Sequence, residues 1–167
     1  MTTDPSMDMR RIQISLPATG EEECDSVRES ILSGWVTQGP KVAAFEKAFA
    51  EMHGVPHALA VTSCTTGLHL ALAGLGIGPG DEVIVPAFTW IATANVVLYC
   101  GATPVFVDVD PATNNIDVED VARKLTDRTR AVIPVHLFGL CADMDGLREV
   151  VPSGVFILED AACAAGA

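Results

Sequence analysis

The sequence predicts an α/β fold: a mainly parallel sheet flanked by helices. Three observations carry this. After Pro56, short apolar or β-branched runs alternate with runs of helical period. Several of the short runs are apolar almost throughout, as in strands covered by helices on both faces. Glycine and proline punctuate the junctions, as turns between such units require.

Residues 1–11 are polar, contain Pro5 and carry Met1, Met7 and Met9, so they read as a mobile leader, with IQISLP the first ordered stretch. Residues 12–167 read as one domain, since no linker of biased composition and no short-period repeat interrupts them. From Gly20, EEECDSVRESILSG places acids in a first turn and Val27, Ile31 and Leu32 on one face, then stops at Gly34. The acidic triplet reads as a helix start rather than a metal site. GWVTQGP is a loop, and KVAAFEKAFAEMHG repeats Val42, Phe45, Phe49 and Met52 at helical spacing up to a glycine stop. Both read as amphipathic core helices.

The βα units then follow in order: HALAVT, TTGLHLALAGLG, DEVIVP, TWIATANVVLYCG, TPVFVD, VEDVARKLT, RAVIPVH, MDGLREVV and VFILED. Right-handed crossovers align the C-terminal ends of parallel strands along one edge, where open α/β sheets bind ligands.

Composition narrows the function. With 49% hydrophobic and 19% charged residues, the chain has material for a sizeable core. A net charge of -12 repels phosphate backbones and anionic membranes, which argues against nucleic-acid and membrane partners. No stretch approaches the roughly 20 apolar residues that span a bilayer, and no signal-peptide pattern opens the chain, so a cytoplasmic protein is expected. Cys24, Cys64, Cys100, Cys141 and Cys163 form no CxxC pair and read as reduced thiols packed as small apolar groups. GLGIGPG ends a helix instead of following a strand, so a dinucleotide fingerprint is not supported.

Three strand-end segments could carry chemistry. In TSCTTG, hydroxyl residues follow a strand and open a helix, which suits either an anion at the free amides or a simple Ser/Thr cap. In PAFTW, Trp90 starts a helix past an apolar strand and could lie flat on a heteroaromatic ring or fill a core; Phe88 is equally open to packing. In ILEDAAC, Asp160 sits at the rim of a largely buried strand, as a helix cap or as the partner of a protonated ring nitrogen. His69, among leucines, reads as packed, and Asp108, running into a proline turn, as structural.

Taken together and in order, SGWVTQGPKVAAFE, the stretch from TSCTTGLHLALAGLGIGPGDEVIVPAFTW to VFVDVDP, AVIPVHLFGLCADMD and ILEDAA resemble the DegT/StrS family of sugar-nucleotide aminotransferases. These are pyridoxal-phosphate (PLP) enzymes of fold type I, so residues 12–167 would be the N-terminal part of a PLP-binding large domain. The resemblance implies phosphate contacts at Ser63, Cys64 and Thr65, ring stacking at Trp90 and pairing of Asp160 with the pyridine nitrogen. Cys163 stands where the family commonly has glutamine or histidine against the phenolic oxygen, and Cys64 where it usually has glycine.

The family also needs a lysine that forms a Schiff base with the cofactor. Lys41, Lys47 and Lys124 all lie on helices away from Asp160. The resemblance places the lysine beyond Ala167, together with further strands and a small C-terminal domain, so these residues alone are expected to be inactive. Further implications are a nucleotide-linked keto-deoxysugar as substrate, glutamate as amino donor and a homodimer. Perosamine-type synthases resemble the stretch well. Two alternatives stay open: PLP-dependent deoxygenation, with histidine at the lysine position, and a non-catalytic remnant.

Overall fold

A computed structural model describes residues 16–167, so the leader and the first four residues of IQISLP lie outside the described residues. The chain forms two compact units, one up to Ala60 and one from Val61 to Ala167.

The first unit holds α1 (Glu21–Leu32) and α2 (Pro40–His53). The backbone N–H of Gly20 donates to the Glu23 carboxylate at 2.6 Å, which holds that carboxyl below its usual range. The acidic triplet is therefore a helix start. Gly54 ends α2 in the left-handed conformation at φ 63°, as a helix stop favours. Between the helices the Trp35 indole donates to the Gln38 carbonyl at 3.0 Å. A Cβ on Gly39 would lie 1.9 Å from that indole nitrogen, so only glycine fits there. The core reading of these helices is corrected: Val27, Ile31, Leu32, Phe45, Phe49 and Met52 are all exposed among the described residues. Their spacing is helical, but two helices alone enclose too little volume to cover both apolar faces.

The second unit is the sheet. Strands β1 (Glu82–Pro86), β2 (Thr103–Val107), β3 (Thr129–Val132) and β4 (Phe156–Ile157) are all parallel, in the order β2-β1-β3-β4. The helices between them are α3 (Cys64–Gly74) before β1, α4 (Ala92–Tyr99), α5 (Val118–Lys124) and α6 (Met144–Val150). Alternation in β1 divides the core. Val83 and Val85 pack with Leu68, Leu72, Val96 and Val97 of α3 and α4, while Ile84 joins Val121 and Leu147 of α5 and α6. All five β1 residues are buried, as its apolar run predicts, whereas β2 is an edge strand with Phe106 exposed.

HALAVT forms no strand. Neither β2 nor β4, the outer strands among the described residues, takes it as a neighbour, and an extended run becomes a strand only through a ladder partner. The four exposed cysteines, Cys24, Cys64, Cys141 and Cys163, likewise depart from the packed-thiol reading; all five are free.

The strand order positions the site. From β1 the chain crosses to β2 on one side, then returns past β1 to β3 on the other. Loops leaving the C-terminal ends of β1 and β3 therefore diverge to opposite faces and open a crevice, the place where sheets of this kind bind ligands.

Candidate active site

The start of α3 lies beside Asp160. Ser63 caps the helix, its Oγ accepting from the Thr66 N–H at 3.2 Å. Thr66 Oγ1 lies 3.0 Å from Ser63 Oγ and 3.1 Å from Thr62 Oγ1. Hydroxyls and first-turn amides thus gather at the positive end of the helix dipole, which suits an anion. Thr65 is half-buried in the same turn. Thr66 was not among the sequence candidates, although its spacing from the cap was the signal for it.

Cys64 is the first residue of α3, and its thiol donates to Asp160 Oδ1 at 3.3 Å. Burial of the thiol end, reinforced by the Asp160 carboxylate and by neighbouring Cys163, pushes it up to about 11. It therefore stays protonated near neutral pH, a standing donor to the carboxylate.

Asp160 arrives at the edge by an interrupted ladder. Pro134 breaks the regular pairing of β3, yet the two segments stay parallel: Asp160 N–H donates to Pro134 O at 2.9 Å and His136 N–H to Asp160 O at 3.0 Å. Among the described residues no helix starts after Asp160; its Oδ1 accepts from the Ala162 N–H at 3.2 Å. The residue is 8% exposed. Oδ2 accepts from no group among the described residues, and no fully buried side-chain oxygen there lacks a partner. Oδ2 is thus left without a donor among the described residues, able to meet a cationic nitrogen.

Trp90 lies in the loop after β1, two residues before α4, not at the helix start, and is 78% exposed. A Thr89–Thr93 hydroxyl contact of 3.2 Å fixes the turn beside it. The indole is thus available as a flat apolar surface and is not core. The structure brings Cys64, Asp160 and Cys163 together, with Ser63 and Thr65 in the adjoining turn, while Trp90 stands exposed in the β1 loop.

Two residues that the sequence reading passed over brace the loop after β3. Asn115 is buried; its Oδ1 accepts from Leu137 N–H at 3.1 Å and its Nδ2 donates to Leu140 O at 3.0 Å. His136, also buried, accepts at Nδ1 from Ala142 N–H at 3.1 Å. Between these clamps Phe138 adopts φ 56°, unusual for a bulky side chain, and stands exposed. Asp108 has the structural place expected of it, its N–H donating to Asp120 at 2.7 Å. His69 is half-buried against Tyr99, with ring centroids 5.7 Å apart.

The spore coat polysaccharide biosynthesis protein SpsC of Bacillus subtilis (strain 168) is 52% identical over 89% of this chain and 38% of its own length. GDP-perosamine synthase of Caulobacter vibrioides is 49% identical over 96% of this chain and 44% of its own. Among solved structures, the PLP form of the sugar aminotransferase Spr1654 from Streptococcus pneumoniae superposes with a TM-score of 0.87 at 36% identity, over 92% of this chain and 43% of that one. 3-Amino-5-hydroxybenzoic acid synthase does so with a TM-score of 0.86 at 46% identity, over 91% and 40%. The chain spans about two-fifths of the length of these relatives. The sequence model of the DegT/DnrJ/EryC1/StrS aminotransferase family matches residues 17–167, and the chain belongs to that family.

Proposed function

We propose that this chain provides the cofactor-holding part of a PLP-dependent aminotransferase that moves an amino group from an amino acid, glutamate by preference, to a keto group on a nucleotide-linked deoxysugar. The observation that carries the reading is Asp160: a buried carboxylate with one oxygen tied by two donors and the other without a donor among the described residues. That is what the protonated nitrogen of a pyridine ring requires. The hydroxyls and amides at the start of α3 fit the cofactor phosphate, and the exposed Trp90 indole fits a ring face. When bound, PLP supplies an electron-accepting ring on which an amino group can be carried.

The residues of this chain bind and orient. Ser63, Cys64, Thr65 and Thr66 hold the phosphate end. Asp160 keeps the ring nitrogen protonated. Trp90 covers one face and excludes water from it. Cys163, beside Cys64, takes the place facing the phenolic oxygen, where a thiol donates only weakly. Each of the three lysines is engaged on a helix, Lys41 with Glu29, Lys47 with Glu51 and Lys124 with Asp120. The lysine that bonds the cofactor is therefore assigned to residues outside these 167. A homodimer is proposed for the intact protein, and the names of the relatives support a nucleotide-sugar acceptor.

The test is PLP titration of the full-length protein, followed by amino-transfer assays with nucleotide-linked 3-keto and 4-keto deoxysugars and glutamate. Saturable PLP binding, weakened about 10- to 100-fold by Asp160→Asn, and a new amino sugar are expected, the loss of one charged hydrogen bond. Absence of PLP binding, or a deoxygenated product, would overturn the proposal.

A further inference from the structure

Asp160 meets two donors, Cys64 Sγ at 3.3 Å and Ala162 N–H at 3.2 Å, and both converge on the same oxygen, Oδ1. The Ala162 contact is local, two residues along the chain, and would rotate with its own turn. The Cys64 contact reaches across from the first turn of α3. Two donors from different directions on one oxygen restrain the carboxylate about its χ2 torsion, and Oδ2 is left without a donor among the described residues.

We infer that Cys64 is a positioning residue: its thiol holds Asp160 so that Oδ2 faces the ring nitrogen of the cofactor, coupling the phosphate-binding turn to the ring-binding carboxylate. The inference rests on the reading of Asp160 given above. A glycine at this position could offer only its backbone amide to the phosphate, whereas the cysteine adds a side-chain donor to the ring end.

The electrostatics agree. Cys64 is exposed as a residue, but its sulfur faces inward, and burial, Asp160 and Cys163 all disfavour the thiolate. The remaining acid on this rim, Glu159, is taken up by His136 Nε2 at 3.0 Å. The groups facing the thiol are then Asp160 and Cys163, and the proton stays on sulfur, where the contact with Oδ1 needs it.

Two measurements on the full-length protein test this. In the cofactor-free protein, iodoacetamide alkylation of the Cys64 peptide is followed by mass spectrometry across pH. The wild-type rate should rise only toward pH 11, and Asp160→Asn should raise it about tenfold at pH 8.5, the effect of one unit of pKa. An unchanged profile would sink the coupling.

In the second measurement PLP is titrated by absorbance. Cys64→Ala should weaken binding about fivefold, the worth of one neutral hydrogen bond, and lower the fraction of protonated ring seen by 15N NMR of labelled PLP. Cys64→Ser, which keeps a donor, should restore both. Wild-type binding matched by Cys64→Ala in affinity and ring protonation overturns the positioning role alone. Failure of the wild type to bind PLP removes the functional reading and this inference with it.

Discussion

His136 Nε2 and Glu159 Oε2 are 3.0 Å apart, and the other ring nitrogen of His136 accepts from the Ala142 N–H at 3.1 Å. Because Nδ1 is an acceptor, the ring hydrogen sits on Nε2 and is donated to Glu159. One imidazole thus joins the loop after β3 to the residue preceding Asp160. His136→Ala leaves the Ala142 N–H without its acceptor and opens a void at a site 3% exposed. A loss of about 2–4 kcal/mol is expected in urea unfolding. A loss below about 0.5 kcal/mol would show that the loop is held by other contacts.

Asn115 is the second clamp. It pairs with both Leu137 N–H and Leu140 O, at 3.1 and 3.0 Å, and so encloses the turn in which Phe138 takes its left-handed conformation. Asn115→Ala should cost about 1–3 kcal/mol. It should also speed hydrogen exchange at Leu137, whereas exchange at Val85, deep in β1, should follow only the global loss.

Asp120 gives a pH dependence away from the site. The Asp108 N–H, with Lys124 and Arg123, holds its carboxyl at about 2. The unfolded value is about 3.9, so the contribution is complete above pH 4–5 and is lost as pH falls toward 2. Asp120→Asn should be less stable than wild type at pH 7, and the gap should close between pH 5 and pH 2. A gap independent of pH would show that the carboxylate charge is not what stabilises this contact.

Trp90 provides an optical test of cofactor placement. The chain has two tryptophans, and in Trp35→Phe the fluorescence reports Trp90. Addition of PLP to that variant should quench the emission in step with the absorbance change of binding. Emission from Trp90 that stays unchanged at saturating PLP would place the ring away from Trp90.

The parallel sheet was legible because its strands are short apolar runs with glycine and proline at their ends; DEVIVP appears as β1, buried throughout. The candidate site was legible as separate strand-end segments. HALAVT was misread because its apolar residues resemble a strand, while pairing depends on a neighbour that the local sequence does not specify. Val27, Ile31, Phe45 and Met52 were misread for a related reason: helical spacing shows which face is apolar but not what covers it.

By itself, then, the sequence determined the α/β class, the order of the units, the helix starts and stops, and the residue types at the strand ends. Those follow from local rules, periodicity and turn chemistry. Tertiary structure decided what depends on distance in space. Cys64 and Asp160, 96 positions apart, share a hydrogen bond; Asn115 and His136 brace the loop after β3; the return from β2 past β1 opens the crevice between β1 and β3. The strand order is a property of the packed sheet, and contacts between remote segments exist only once both faces of that sheet are covered.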